Sequence, residues 1–325
     1  MRRLFSLVFL LLIIGGGAWV FLNRQPIIDY AVASQYKPSS AVIKLEDQIQ
    51  FTPKGDALFR AVQPEVDNSD NFNQHCQKKD ADSIVLGCYI DPQNIFVYNV
   101  TDSQLSAVMP VTAAHETLHA AYARLSSTER AKVNSMVEAA LPQVEQTDPN
   151  LAARLAIYQK TEPGQRDNEL HSILGTEAQT LPQDLETYYS QYFKNRHAIA
   201  AFAASYDSVF SGLQANQATI EADLNALNTQ IDTLTATYNS NLQQLNSDIG
   251  DFNAKAQTPG GFSSEAEFDS AKASLTTRRN QLDSDRQIIN SDIDQYNTDR
   301  SQLQALNVQV DDLNAKLDST ASPSF

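Results

Sequence analysis

One stretch of this chain has residue types and spacing suited to chemistry: His115-Glu116-Thr117-Leu118-His119. In a helix, residues four apart share a face about one turn apart, so the two imidazoles can bind one zinc ion. Glu116 then stands where it can take a proton from a water that the ion activates, as the general base of a hydrolase. The motif uses two of only five histidines in 325 residues. A zinc site of this kind needs a third protein ligand, and the open position goes to water and the substrate carbonyl. Three glutamates compete for that role: Glu169, Glu177 and Glu138.

The motif must be carried by a helix, and the local pattern predicts one. From Pro110 onward, Val111, Ala114, Leu118, Ala121 and Leu125 fall on one apolar face. Ser126 and Glu129 form a capping-box pattern that starts a second helix, expected to end near Leu141, before Pro142. On that helix Glu138 points away from the stripe Val133, Met136, Val137 and Ala140, which predicts exposure. Glu177 lies amid Leu170, Ile173, Leu174 and Leu181, where an unpaired carboxylate is costly. Ahead of the motif, Ser83 to Ile90 and Asn94 to Val100 are strand-like runs separated by the turn signal Asp91-Pro92-Gln93, which predicts a hairpin. The only cysteines, Cys76 and Cys88, are placed to close a small disulfide loop if the domain faces an oxidising compartment.

The segment Asn168-Glu169-Leu170-His171-Ser172 resembles the third-ligand helix of gluzincins, which reads Glu-x-x-Ser/Ala, often with Asn before the Glu and a small residue two turns on. That resemblance favours Glu169 as the third ligand. The Asp that usually follows the Ser or Ala is replaced here by Ile173, which removes the expected outer partner of a zinc histidine. Glu138 keeps a claim through a spacing similar to that of aminopeptidase-type zincins. Metzincins would place Gly and His where this chain has Tyr122 and Leu125, which excludes that subclass. The distance from His119 to Glu169 resembles that in HtpX-type and CAAX-protease-type membrane gluzincins, and the likeness covers roughly residues 40 to 200. It implies a zincin-like α+β domain, Zn2+ as cofactor and a protein or peptide substrate. It also suggests the strand Ile95 to Val100 as an edge on which a peptide lies extended. His171, Tyr188, Tyr189, Tyr192, Arg196 and His197 are candidates for an oxyanion-stabilising donor.

Around this domain the sequence predicts an anchor and an arm. Leu4 to Leu22 is free of charge for nineteen residues and long enough to span a bilayer. Arg2 and Arg3 before it, against Arg24 after it, place the N-terminus in the cytoplasm and the remainder outside. Residues 25–40, with Pro26 and Pro38, read as a juxtamembrane linker to a domain spanning 41–200. Residues 201–325 hold 17 acidic and 7 basic residues, and so −10 of the total charge of −15. This acidity excludes a nucleic-acid binder. Ile220, Leu224, Leu227, Ile231, Leu234 and Tyr238, and then Phe268, Leu275, Leu282, Ile289 and Ile293, form narrow apolar stripes in two arms. Pro259-Gly260-Gly261 lies between the arms. The expectation is an antiparallel coiled-coil hairpin over 201–318, with a hinge near 257–264, a disordered tail over 319–325, and a protein partner or a second copy engaged through the coiled coil. A rival class of function is a noncatalytic envelope scaffold, in which the zincin-like domain is degenerate and the coiled coil binds the partner.

Overall fold

The computed structural model describes residues 24–77, 84–153, 155 and 165–320. The expected anchor, Leu4 to Leu22, lies outside the described residues. Among those described, no helix is long and apolar enough to cross a membrane. The chain divides into two compact units, one of residues up to Phe210 together with those from Asp312 on, the other Ser211–Asp311. Among the described residues it is mainly helical with one small sheet.

The described part of the first unit opens with α1 (Arg24–Gln35), α2 (Ser40–Ile49) and α3 (Pro53–Ala61). Ser39 and Thr52 cap the second and third of these by accepting from Val42 and Gly55 amides, and Pro53 occupies the first turn, where its missing N–H costs nothing. The residues read as a linker therefore include a regular helix. Arg124 holds it in place, donating to both carboxylate oxygens of Asp29 at 2.8 and 2.9 Å. An ion pair across so many residues leaves no trace in local composition.

Next come β1 (Glu65–Asp67), α4 (Ser69–His75), β2 (Gly87–Ile90) and β3 (Asn94–Tyr98). The sheet order is β1-β3-β2, with β1 parallel and β2 antiparallel to β3. The hairpin forms, but β3 is the central strand. The expected substrate edge at Ile95 to Val100 is therefore occupied on both sides, and the edge on the motif side is β2. Side chains alternate across β3: Ile95 and Val97 enter the main core, while Phe96 packs with Phe72 and Cys76 beneath α4. Cys76 and Cys88 are joined in a disulfide that ties the end of α4 to β2.

The main core gathers on α5 (Val108–Ala123), which is buried on nearly every side and not along a single stripe. Its buried Thr112 and Thr117 hydroxyls donate to the Val108 and Ala113 carbonyls, so they enter the core without unpaired donors. The capping box of Ser126 and Glu129 starts α6 (Ser127–Thr147), which runs on through Pro142 where an end was expected. Proline removes one helical hydrogen bond, and burial of Leu141 and Val144 on either side keeps the helix going. After α7 (Arg166–Thr176) and α8 (Gln183–Tyr189) come two long helices, α9 (Arg196–Gln257) and α10 (Glu265–Leu317). The end of α10 belongs to the first unit: Lys316 pairs with Asp102 at 2.9 Å, and the side chain and carbonyl of Ser319 both bond Asn73. Residues 319 and 320 are thus ordered where a disordered tail was expected, and 321–325 lie outside the described residues.

In the second unit α9 and α10 pack antiparallel. Gln217 donates to Asn307, Gln230 to Asp292, and Arg278 pairs with Asp248, a register in which one number rises as the other falls. Leu282 and Ile289 are buried as the second stripe requires, and Leu245 of α9 is buried as well. Ile293, assigned to the second stripe, is exposed, and Asp292 takes the inward place.

At Gly175 α7 comes close to both α5 and α8: a Cβ there would lie 2.7 Å from the Tyr189 ring and against Leu118. Gly175→Ala is expected to destabilise the protein by about 1–3 kcal/mol through overpacking. Gly212→Ala, at a helical site with nothing within 4 Å, should be neutral or stabilising. Urea unfolding of both variants checks the contrast; equal shifts would contradict it.

Candidate metal centre

His115 and His119 lie one turn apart on α5, with their Nε2 atoms 3.0 Å from each other. Glu169, in the first turn of α7, places Oε2 3.5 Å from His115 Nε2 and Oε1 3.5 Å from His119 Nε2. Two neutral imidazoles and a carboxylate are a donor set suited to zinc. Ligands about 2.0–2.1 Å from a tetrahedral ion stand roughly 3.3 Å apart, close to these separations. Among the described residues, these three form the one such group, with ligand atoms all within 4.8 Å of one another.

The other two glutamates are elsewhere. Glu138 is exposed and paired with Arg166 at the start of α7. Glu177 is the C-cap of α7, two turns beyond Glu169.

The geometry of Glu169 depends on how α7 is held. At its start, Tyr122 of α5 donates to Asn134 of α6 at 2.9 Å, and Asn134 donates on to Asp167. Further along, the Tyr189 hydroxyl donates to the His171 carbonyl at 2.6 Å, and the Tyr188 hydroxyl lies 3.0 Å from His171 Nε2. Between these, Ser172 Oγ sits 3.2 Å from His119 Nδ1. In the tautomer that leaves Nε2 free for a metal, Nδ1–H donates to this hydroxyl. Ser172 thereby fills the outer-partner place that the sequence had left vacant at Ile173.

Glu116 is buried beside the edge strand. A Cβ on Gly87 would stand 3.0 Å from its Cγ and Oε1 and 2.5 Å from Thr112 Cγ2, so only glycine lets β2 pass this close. An isolated glycine in a β-rich run was the available signal for that approach. No comparable signal marked Ser172 as a partner of His119.

The expected oxyanion donors are mostly engaged elsewhere. His171 is fully buried among Tyr122, Tyr188 and Tyr189. Burial first, then the positive charge of His119 and His115 when protonated, pushes its pKa down to about 3, so the ring is neutral at ordinary pH. Burial also drives Tyr188 and Tyr189 far above the usual phenol range, so both remain donors. Arg196 pairs with Glu186 and donates to the Ala178 carbonyl, and His197 is exposed beside the Gln179 carbonyl. Tyr192 is buried within the main core.

Ser172→Ala should weaken zinc binding by about 10–100-fold, read by competition with a chromophoric chelator, while Glu177→Ala leaves it unchanged. Equal losses in both variants would deny Ser172 its role. No family model, curated protein or solved structure matches this chain, which leaves the donor geometry as the basis for its function.

Proposed function

We propose that the protein is a membrane-anchored, zinc-dependent peptidase with a gluzincin-like site. The observation that carries this reading is the convergence of His115, His119 and Glu169, with Glu116 on the same helix beside an edge strand. When bound, zinc supplies Lewis acidity that polarises a peptide carbonyl and brings a water within reach of deprotonation near neutral pH. Glu116 accepts that proton and delivers it to the departing amine, so one carboxylate serves both halves of the hydrolysis. Ser172 holds His119 in the ligand tautomer, and Tyr122, Asn134 and Asp167 hold the start of α7 so that Glu169 meets both histidines.

The edge of β2 offers the place for an extended substrate. Among the described residues only β3 pairs with this strand, and Gly87 brings its backbone against Glu116. A peptide hydrogen-bonded along β2 is thereby led past the general base.

The disulfide between Cys76 and Cys88 supports an extracytoplasmic domain, in keeping with a cytoplasmic N-terminus ahead of a spanning Leu4 to Leu22. The paired arms of the second unit act in this reading as a coiled coil for a protein partner or a second copy.

Glu116→Gln tests the proposal. The full-length variant should bind zinc as the native chain does and lose casein-hydrolysing activity by about 10²–10⁴-fold. Unchanged hydrolysis, or none by the zinc-loaded native chain, would favour the scaffold alternative.

A further inference from the structure

The outward side of α1 takes no part in the proposed reaction, yet its composition is unusual. Ile27, Ile28 and Tyr30 are 42%, 41% and 79% exposed, flanked by exposed Pro26, Ala31 and Ser34. After Arg24 the helix has one charged residue, Asp29, and that carboxylate is turned inward onto Arg124. A chain with net charge −15 thus presents an uncharged, largely apolar strip here. Grouped exposed apolar side chains mark a surface that something covers.

The position of the strip in the chain identifies its cover. The uncharged run Leu4 to Leu22 ends two residues before α1 starts. At about 1.5 Å per helical residue, Tyr30 lies no more than roughly 9 Å from Arg24. The headgroup layer on each side of a bilayer is about 5–8 Å deep. Counted from Leu22, an upright helix axis sets Ile27 about 7.5 Å and Ile28 about 9 Å out, at the edge of that layer, and a tilt of about 45° carries both into it with Tyr30 at its rim, where aromatic side chains with one polar end are favoured.

We propose that the outward side of α1 docks on the lipid bilayer, and that the metal centre acts on peptide segments of membrane proteins close to where they leave that bilayer. The link from strip to site is the Asp29–Arg124 pair. Arg124 caps the same helix that carries His119, about one and a half turns away, and also donates to the Tyr89 hydroxyl and the Pro92 carbonyl of the hairpin. One guanidinium therefore fixes α1, the metal-bearing helix and the edge strand relative to one another. The substrate class rests on the anchored-peptidase reading.

The test uses the full chain in phosphatidylcholine vesicles brominated near the headgroups. The native Trp19 reports on the uncharged run, and Tyr30→Trp in a Trp19→Phe background reports on α1. Both should lose emission relative to unbrominated vesicles. Quenching of Trp19 without quenching at position 30 overturns the docking and leaves the anchor standing; quenching of neither overturns both. In the same vesicles, a peptide probe carrying an acyl chain should be cut faster than the same peptide without it, and Ile27→Glu with Tyr30→Glu should abolish the difference. Equal cleavage by the native chain overturns the substrate class. Cleavage of neither probe by the zinc-loaded chain sinks the peptidase reading and this substrate class with it, while the quenching still decides the docking.

Discussion

The approach of α7 to α5 is the constraint on which the rest of the first unit depends. Leu118 stands between the two histidines in sequence, and Gly175 lets α7 close onto it. Any side chain there would move Glu169 and Ser172 away from His119 together, because both ride on α7. The hydrogen bonds around α7 serve the same end: Asn134 holds its start, Tyr189 its middle and Ser172 its contact with His119. With Nδ1–H of His119 given to Ser172, its Nε2 presents a lone pair towards a carboxylate and a second imidazole. Lone pairs converging in a largely buried place are costly without a cation between them. The packing of α7 on α5 thus holds three donor groups in an arrangement suited to a divalent ion.

Residue types and local spacing carried much of the centre. The His115 to His119 motif, the capping box at Ser126 and the β2–β3 hairpin are all written within a few residues, where periodicity and turn chemistry act. Glu169 was legible through its neighbours and ambiguous against Glu177 and Glu138, because choosing among them needs the distance between helices. In the structure Glu138 is drawn to Arg166, while Glu169 lies beside both histidines. The order of strands was not legible. A three-residue β1, too short to show alternation, pairs with β3 and makes it central. The helix α1 was hidden by Pro26 in its first turn and Pro38 just beyond it, and is stabilised by an ion pair with Arg124.

The second unit shows a different limit. Its second stripe, taken from apolar residues alone, runs through Ile293, yet the spacing of seven that places Leu282, Ile289 and Tyr296 inward also carries Asp285, Asp292 and Asp299 towards the partner helix. Asp292 accepts from Gln230 across the pair, and Asp299 accepts from Gln295 within its own helix. Such seam polarity costs packing energy and favours one register, since a slipped pairing would strand these carboxylates against leucine. A stripe chosen by hydrophobicity alone departs from the geometry where a polar residue has a partner.

Edge strand β2 unites these themes in the first unit. It is only four residues long and is hydrogen-bonded on one side by β3. A strand so short and marginal is expected to fray. Here it is held on both faces: Cys88 is bonded to α4 on one, while Gly87 rests on Thr112 and Glu116 and Tyr89 bonds Arg124 on the other. The side chains that face α5 are those of the strand's alternate positions, so a slip of one residue would turn Cys88 towards Glu116 and Gly87 towards Cys76. The disulfide therefore fixes register as well as position. It acts at the point where the backbone lies against Glu116, so a covalent bond made on the far face of the strand bears on the geometry of the candidate site.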